Sequence, residues 1–193
     1  MRTLLLVGAL LLGGAGSFRA SATDVEIPSL RACPQSEDLR NWWWSRLSEK
    51  DALVKAGGSS VVFLGDSITH GWDVEGRTWW EKYFAGEPYR ALNLGFGGDR
   101  TEHVLWRIAH GQLDGYRARV IVLMIGTNNT GSRSFREEPP IDTIAGVEAV
   151  IRAIRAKQPK ARVILCPIFP RNEPQGELRR RNETVNKELV KVC

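Results

Sequence analysis

Val61-Val62-Phe63-Leu64-Gly65-Asp66-Ser67-Ile68-Thr69 decides how this chain is read. Four apolar residues, most of them β-branched or aromatic, predict a short buried strand, and the glycine that follows ends it. A helix start is expected directly after Ser67. The serine hydroxyl then stands at the carboxyl edge of a sheet, a location that suits a nucleophile. Alone the signal is weak, because Gly, Asp and Ser also make ordinary turns. The surroundings also differ from the G-x-S-x-G elbow of α/β-hydrolases.

Working outward, apolar runs recur at Ala91-Leu92-Asn93-Leu94, Val120 to Ile125 and Val163-Ile164-Leu165. Helical segments are expected between and around them, over Trp79 to Phe84, Thr101 to Ala109, Ile141 to Lys157 and Leu178 to Val192. Repeated βα units predict a parallel sheet with helices on both faces. The first three strands each end in a loop of glycine and hydrogen-bonding residues: Gly65-Asp66-Ser67, Gly95-Phe96-Gly97-Gly98-Asp99 and Gly126-Thr127-Asn128-Asn129. In open parallel sheets the ligand crevice lies beyond the carboxyl ends of the strands, so the three loops are expected to form one site.

These blocks resemble the SGNH/GDSL hydrolases. Val61 to Trp72 resembles the first block of that family. Asn93 to Thr101, with His103-Val104-Leu105-Trp106-Arg107 behind it, resembles the glycine block of the platelet-activating-factor acetylhydrolase catalytic subunits and their secreted bacterial relatives, and Gly126 to Asn129 the third block. The likeness runs from about Val61 to Val192. It implies a flavodoxin-like three-layer α/β/α sandwich and ester hydrolysis through an acyl-serine, with no metal or organic cofactor. It also implies Ser67 as nucleophile and an oxyanion hole made of the Ser67 N–H, the Gly98 N–H and the Asn128 carboxamide. The chemistry fits these residue types: glycine lets a backbone N–H approach the substrate, and a carboxamide donates without losing its proton to the oxyanion. The plainer readings are a turn glycine for Gly98 and, for Asn128, a loop cap or an unused N-x-T sequon. Asp66, His103 and Asn129 are expected to border the pocket.

The family's base is a histidine in an Asp-x-x-His motif on a late loop, and these residues contain no Asp-x-x-His. The expectation is a chain cut short after Cys193, with the last strand and helix of the fold missing. His70 stands three residues past Ser67 in the same helix start, His103 is placed to line the pocket, and His110 is expected at a helix end. None has an evident orienting carboxylate of triad type.

The remaining sequence sets the context. At 193 residues, 42% hydrophobic and 25% charged, the chain has the size and composition of one soluble globular domain. Met1 to Ala22 carries Arg2, an apolar run from Leu4 to Gly16 and the small residues Ala20-Ser21-Ala22, which predicts a secretory signal peptide and a secreted or periplasmic protein. No segment approaches the ~20 apolar residues of a spanning helix, so no stable membrane insertion is expected after cleavage. Removing Arg2 and Arg19 from the 27 basic residues leaves 25 against 22 acidic ones, a net charge of +3 that argues against nucleic acid as a partner. Arg179-Arg180-Arg181 reads as a solvated helix face.

Residues 23–58 read as a leader and a Trp-rich helix from Asp38 to Val54, and residues 59–193 as the hydrolase domain. Trp42-Trp43-Trp44 cannot share one helix face. Core packing is the preferred reading for them, a sugar-stacking platform the alternative. Cys33, Cys166 and Cys193 show no metal-ligand spacing, and their connectivity stays open. Gly95-x-Gly97 after a strand invites a dinucleotide reading, but Arg100 replaces the third glycine and no acidic residue ends the next strand. The favoured substrates are short acyl esters, especially acetyl on a glycan. Lipid acyl esters are an alternative, and a non-catalytic carbohydrate-binding relative is the rival from another class.

Overall fold

The computed structural model describes residues 26–35, 40–131 and 136–192. The leader read from Met1 to Ala22, the first residues of the Trp-rich helix and Cys193 lie outside the described residues.

Four parallel strands form the sheet: β1 (Val61–Gly65), β2 (Leu92–Gly95), β3 (Val120–Met124) and β4 (Arg162–Leu165), in the order β2-β1-β3-β4. Their order places β1 in the middle, with Gly65 in register with both Gly95 and Met124. The first three strands therefore end level, and the loops that follow leave the sheet along one edge. Among the described residues six α-helices surround it: α1 (Arg40–Ala56), α2 (Ser67–His70), α3 (Arg77–Tyr83), α4 (Thr101–Ala109), α5 (Pro140–Lys157) and α6 (Glu177–Leu189). This is the parallel α/β arrangement expected from the alternation of apolar runs and helical segments.

Strand side chains alternate between the two faces. Val62, Leu64, Leu92, Leu94, Ile121 and Leu123 project to one face, where they join Val104 and Ile108 of α4, Val147, Val150 and Ile154 of α5, and Val185 and Leu189 of α6 in one buried cluster. Phe63 projects to the other face and meets Trp80 and Phe84 edge-on, both with centroids 5.1 Å away. Burial of such apolar surface supplies most of the stabilisation, at about 25 cal/mol per Å² removed from water.

The N-terminal segment belongs to this body. Trp43 is fully buried against Phe96 and Trp106, while Trp42 and Trp44 are 38% and 41% exposed. Core packing thus holds for the middle tryptophan of the three. Ser29 is buried as well and reaches Glu138 across 109 residues. Among the described residues Cys33 and Cys166 carry free thiols, no helix is long and apolar enough to cross a membrane, and no cluster of three His, Cys, Asp or Glu residues is placed to hold a metal.

Candidate active site

Two glycines allow the nucleophile's helix to sit directly on the strand ends. A Cβ at Gly95 would lie 2.2 Å from the His70 amide nitrogen and 2.5 Å from the Thr69 carbonyl carbon. One at Gly65 would lie 2.3 Å from the carbonyl oxygen of Met124. These are backbone atoms that cannot swing aside. Glycine at the ends of β1 and β2 therefore lets α2 close onto the sheet.

Asp66 caps that helix: its Oδ1 accepts from the Ile68 N–H at 2.9 Å. Ser67 follows as the first helical residue. It is exposed, and its own N–H has no intrahelical acceptor at that position. The Asp66 carboxyl is almost fully buried with its Oδ2 unpartnered. Burial pushes its pKa up to about 7, and the nearby Asp99 charge adds to the rise while the bond from Ile68 opposes it. Asp66 is therefore a cap beneath the serine rather than a wall of an open pocket.

The glycine loop turns beside Ser67. Phe96 N–H donates to Gly65 O at 3.0 Å, pinning the loop to the end of β1, and Asp99 N–H donates back to Phe96 O at 3.1 Å. Gly98, at φ +74°, occupies the left-handed position of this turn, which a side chain disfavours. Among the described residues the Gly98 N–H has no backbone acceptor. The loop is anchored by Asp99, which has no exposed surface and accepts from Gln35 Nε2 at 2.8 Å, Trp43 Nε1 at 2.9 Å and Arg107 Nε at 2.8 Å. Gln35 and Trp43 belong to the N-terminal segment, so that segment holds the glycine loop in place.

Asn128 enters from the end of β3. Its Nδ2 donates to the Asp99 carbonyl at 2.8 Å. A carboxamide nitrogen carries two hydrogens, so one fixes the glycine loop and the second is left to donate elsewhere. Asn128 is buried, so the N-x-T sequon it opens is no surface acceptor. The structure thus brings Ser67, Gly98 and Asn128 together at one edge of the sheet through short, interlocked loops.

Asn129 and His103 have different positions from those expected of pocket residues. Asn129 is fully buried: its Oδ1 accepts from the Thr101 N–H at 3.0 Å, capping α4, and its Nδ2 faces Ser29, Thr101, Glu102 and Glu138. His103 is buried, with Nδ1 accepting from the Arg100 N–H at 3.0 Å. Burial lowers its pKa, against the pull of Asp99 and Glu102, so the imidazole is neutral with its proton on Nε2. His110 is exposed at the end of α4 and stacks on Trp106 at 3.7 Å. His70 stacks on Trp42 at 5.9 Å. Among the described residues no histidine hydrogen-bonds Ser67.

Several residues around the site were not singled out in the sequence. Buried Arg100 donates to Glu102, Glu138 and the carbonyl of Asn128, binding the glycine block to the third block. Arg171, beyond β4, donates to the carbonyls of Thr127 and Gly131 and closes the far side of the same loop. The one available signal was Arg100 in place of a third glycine, which counted only against a dinucleotide site.

The comparisons with known proteins place the chain in a family. The model of the GDSL-like lipase/acylhydrolase family matches residues 63–193. The alpha1 subunit of platelet-activating factor acetylhydrolase IB from Pongo abelii is 37% identical over 172 residues, covering 87% of this chain and 68% of that protein. The alpha2 subunit from Homo sapiens is 38% identical over 159 residues, covering 81% of this chain and 65% of that one. The chain thus spans about two thirds of the length of these relatives. Among solved structures, a member of the lipolytic protein G-D-S-L family from Veillonella parvula shares the fold with a TM-score of 0.55 at 24% identity, over 70% of this chain and 72% of its own. The enzyme LAE5 from the metagenome of Lake Arreo does so with a TM-score of 0.53 at 17% identity, over 70% and 72%. Three separated sequence blocks, one sheet edge and a family match across most of the described chain lead to one conclusion: the chain belongs to the GDSL-like lipase/acylhydrolase family.

Proposed function

We propose that the protein is a serine-dependent carboxylic-ester hydrolase that works through an acyl-serine intermediate. The observation that carries this reading is the exposed Ser67 at the start of α2, beside a Gly98 loop that the Asn128 carboxamide holds by the Asp99 carbonyl. Ser67 Oγ attacks the acyl carbon, its proton passes to a general base, and negative charge moves to the carbonyl oxygen. The N–H groups of Ser67 and Gly98 and the free amide hydrogen of Asn128 are the donors for that charge. Collapse expels the alkoxide, which takes the proton, and water then cleaves the acyl-serine by the same steps in reverse order. The family resemblance assigns the base to the histidine of an Asp-x-x-His motif, which these 193 residues do not contain.

Short acyl groups, especially acetyl on a glycan, are the proposed substrates, and the leader Met1 to Ala22 supports action outside the cytoplasm. Lipid acyl esters are the alternative substrates, while the relatives' name, an acetylhydrolase, supports the acetyl group. A second reading, a carbohydrate binder without turnover, is favoured by one observation: His70, His103 and His110 are all engaged with partners other than Ser67. Release of p-nitrophenol from p-nitrophenyl acetate separates the two. In protein that also carries the Asp-x-x-His base, the hydrolase reading expects turnover that survives a chelator and disappears in Ser67→Ala. Turnover unaffected by that substitution would contradict it.

A further inference from the structure

Building on the ester-hydrolase reading, one aromatic pair at the edge of the site has no part in the acyl-transfer steps. Trp42 of α1 and His70 of α2 stack with centroids 5.9 Å and planes 19° apart. Both meet the glycine loop: a Cβ placed on Gly97 would lie 3.4 Å from Trp42 Cη2 and 3.6 Å from His70 Nδ1. Gly97 directly precedes Gly98. His70 is three residues past Ser67 in the same helix, so their side chains share a face. The stacked pair therefore borders the space in front of the nucleophile and the Gly98 N–H.

Trp42 differs from its neighbour in what it does for the fold. Trp43 is fully buried and donates to Asp99, whereas Trp42 keeps 38% of its surface open to water. That open indole is nonetheless backed by the imidazole. An exposed aromatic plane already fixed in position loses little further conformational freedom on binding. Among the described residues its neighbours along α1 are polar. Ser45 and Glu49, one and two turns further along the same face of α1, are exposed, and His70 is uncharged because burial and Arg46 lower its pKa. A long alkyl chain laid across this plane would run into hydrogen-bonding groups on leaving it. A sugar ring has the matching character, with a flat C–H face for the indole and hydroxyls at its rim for the neighbouring polar groups.

We propose that Trp42, backed by His70, is the platform on which the sugar of a glycan ester stacks, bringing the acyl carbonyl to Ser67. Gly97 keeps the notch beside this platform open. Its backbone is outside the positive-φ region, and a Cβ there would make ordinary contacts, so Gly97→Ala should fold normally and narrow the notch.

Two measurements test this. The first is calorimetric binding of partially acetylated xylo-oligosaccharides to the Ser67→Ala protein, with Trp42→Ala and Trp42→Phe added in turn. Trp42→Ala should raise Kd at least tenfold, Trp42→Phe should keep most of the affinity, and Gly97→Ala should weaken binding. The second is the ratio of kcat/KM on these oligosaccharides to that on p-nitrophenyl acetate in proteins that retain Ser67. Trp42→Ala should lower the ratio at least tenfold, mainly through KM on the glycan. Equal affinity with and without Trp42, or an equal loss on both esters, overturns the platform. So does a loss confined to long-chain acyl esters, which would make Trp42 an acyl wall. Trp42-dependent sugar binding without turnover of either ester, in protein that carries the Asp-x-x-His base, would leave the platform standing and remove the hydrolase reading beneath it.

Discussion

The Asn128 side-chain amide donates to the backbone carbonyl of Asp99 at 2.8 Å, tying the loop after β3 to the glycine loop after β2. This bond gives Asn128 two tasks, to fix the Gly98 turn and to present its second amide hydrogen. Asn128→Ala should therefore lower kcat by ~10² to 10³ with little change in KM, the effect of removing one oxyanion-hole donor. Steady-state kinetics on p-nitrophenyl acetate will show it. A change confined to KM would make Asn128 a residue of substrate binding.

The closeness of α2 to the strand ends predicts a packing effect. Gly95→Ala puts a methyl group against the backbone of Thr69 and His70, so α2 must move away from β2. Overpacking of this kind costs about 1–3 kcal/mol, and more where no side chain can yield. Urea unfolding should show a lowered midpoint, and esterase activity should fall with it because Ser67 rides on α2. A variant with unchanged midpoint and rate would mean that α2 does not sit on the sheet as described.

Asp99 and Arg107 are both fully buried and paired. Asp99→Ala leaves the guanidinium without its carboxylate and frees the anchor of the glycine loop. Breaking one side of such a buried pair costs about 3–5 kcal/mol. The unfolding free energy should fall by that order, and a loss below about 1 kcal/mol would contradict the burial of this pair.

Asp66 gives a pH signature. Its folded-state pKa is raised from 3.8 to about 7, so the folded protein holds this proton more tightly than the unfolded chain. The associated stability is fully present below about pH 4 and is lost as pH rises through 7. Asp66→Asn keeps an oxygen to cap Ile68 and removes the titration. The difference in melting temperature between variant and parent should therefore shift in favour of the variant between pH 4 and pH 8. Parallel curves over that range would show that Asp66 titrates normally.

Much of this was legible in the sequence because the fold repeats a simple signal. The four apolar runs became the four strands, with β2 starting at Leu92 rather than Ala91, and the three glycine-containing loops lie at one sheet edge as the parallel register requires. Ser67, Gly98 and Asn128 were recognisable because each is a short segment beside a strand end. Asn129 and His103 were harder to place. Their roles depend on partners far along the chain, Ser29 and Glu138 for one, or on a local cap that uses the same nitrogen a base would need, for the other. Arg100 was opaque for the same reason: a buried hydrogen-bond network has no period in the sequence.

Covalent capture shows whether Ser67 is the nucleophile. The intact protein is treated with a fluorophosphonate and digested, and the adduct is located by mass spectrometry. In protein that carries the Asp-x-x-His base, one phosphonylated peptide, containing Ser67, is expected, with no labelling of Ser67→Ala, whose kcat on p-nitrophenyl acetate should fall on the order of 10⁶-fold. An adduct on another residue, or a Ser67→Ala protein that is still labelled and still turns over, would contradict it.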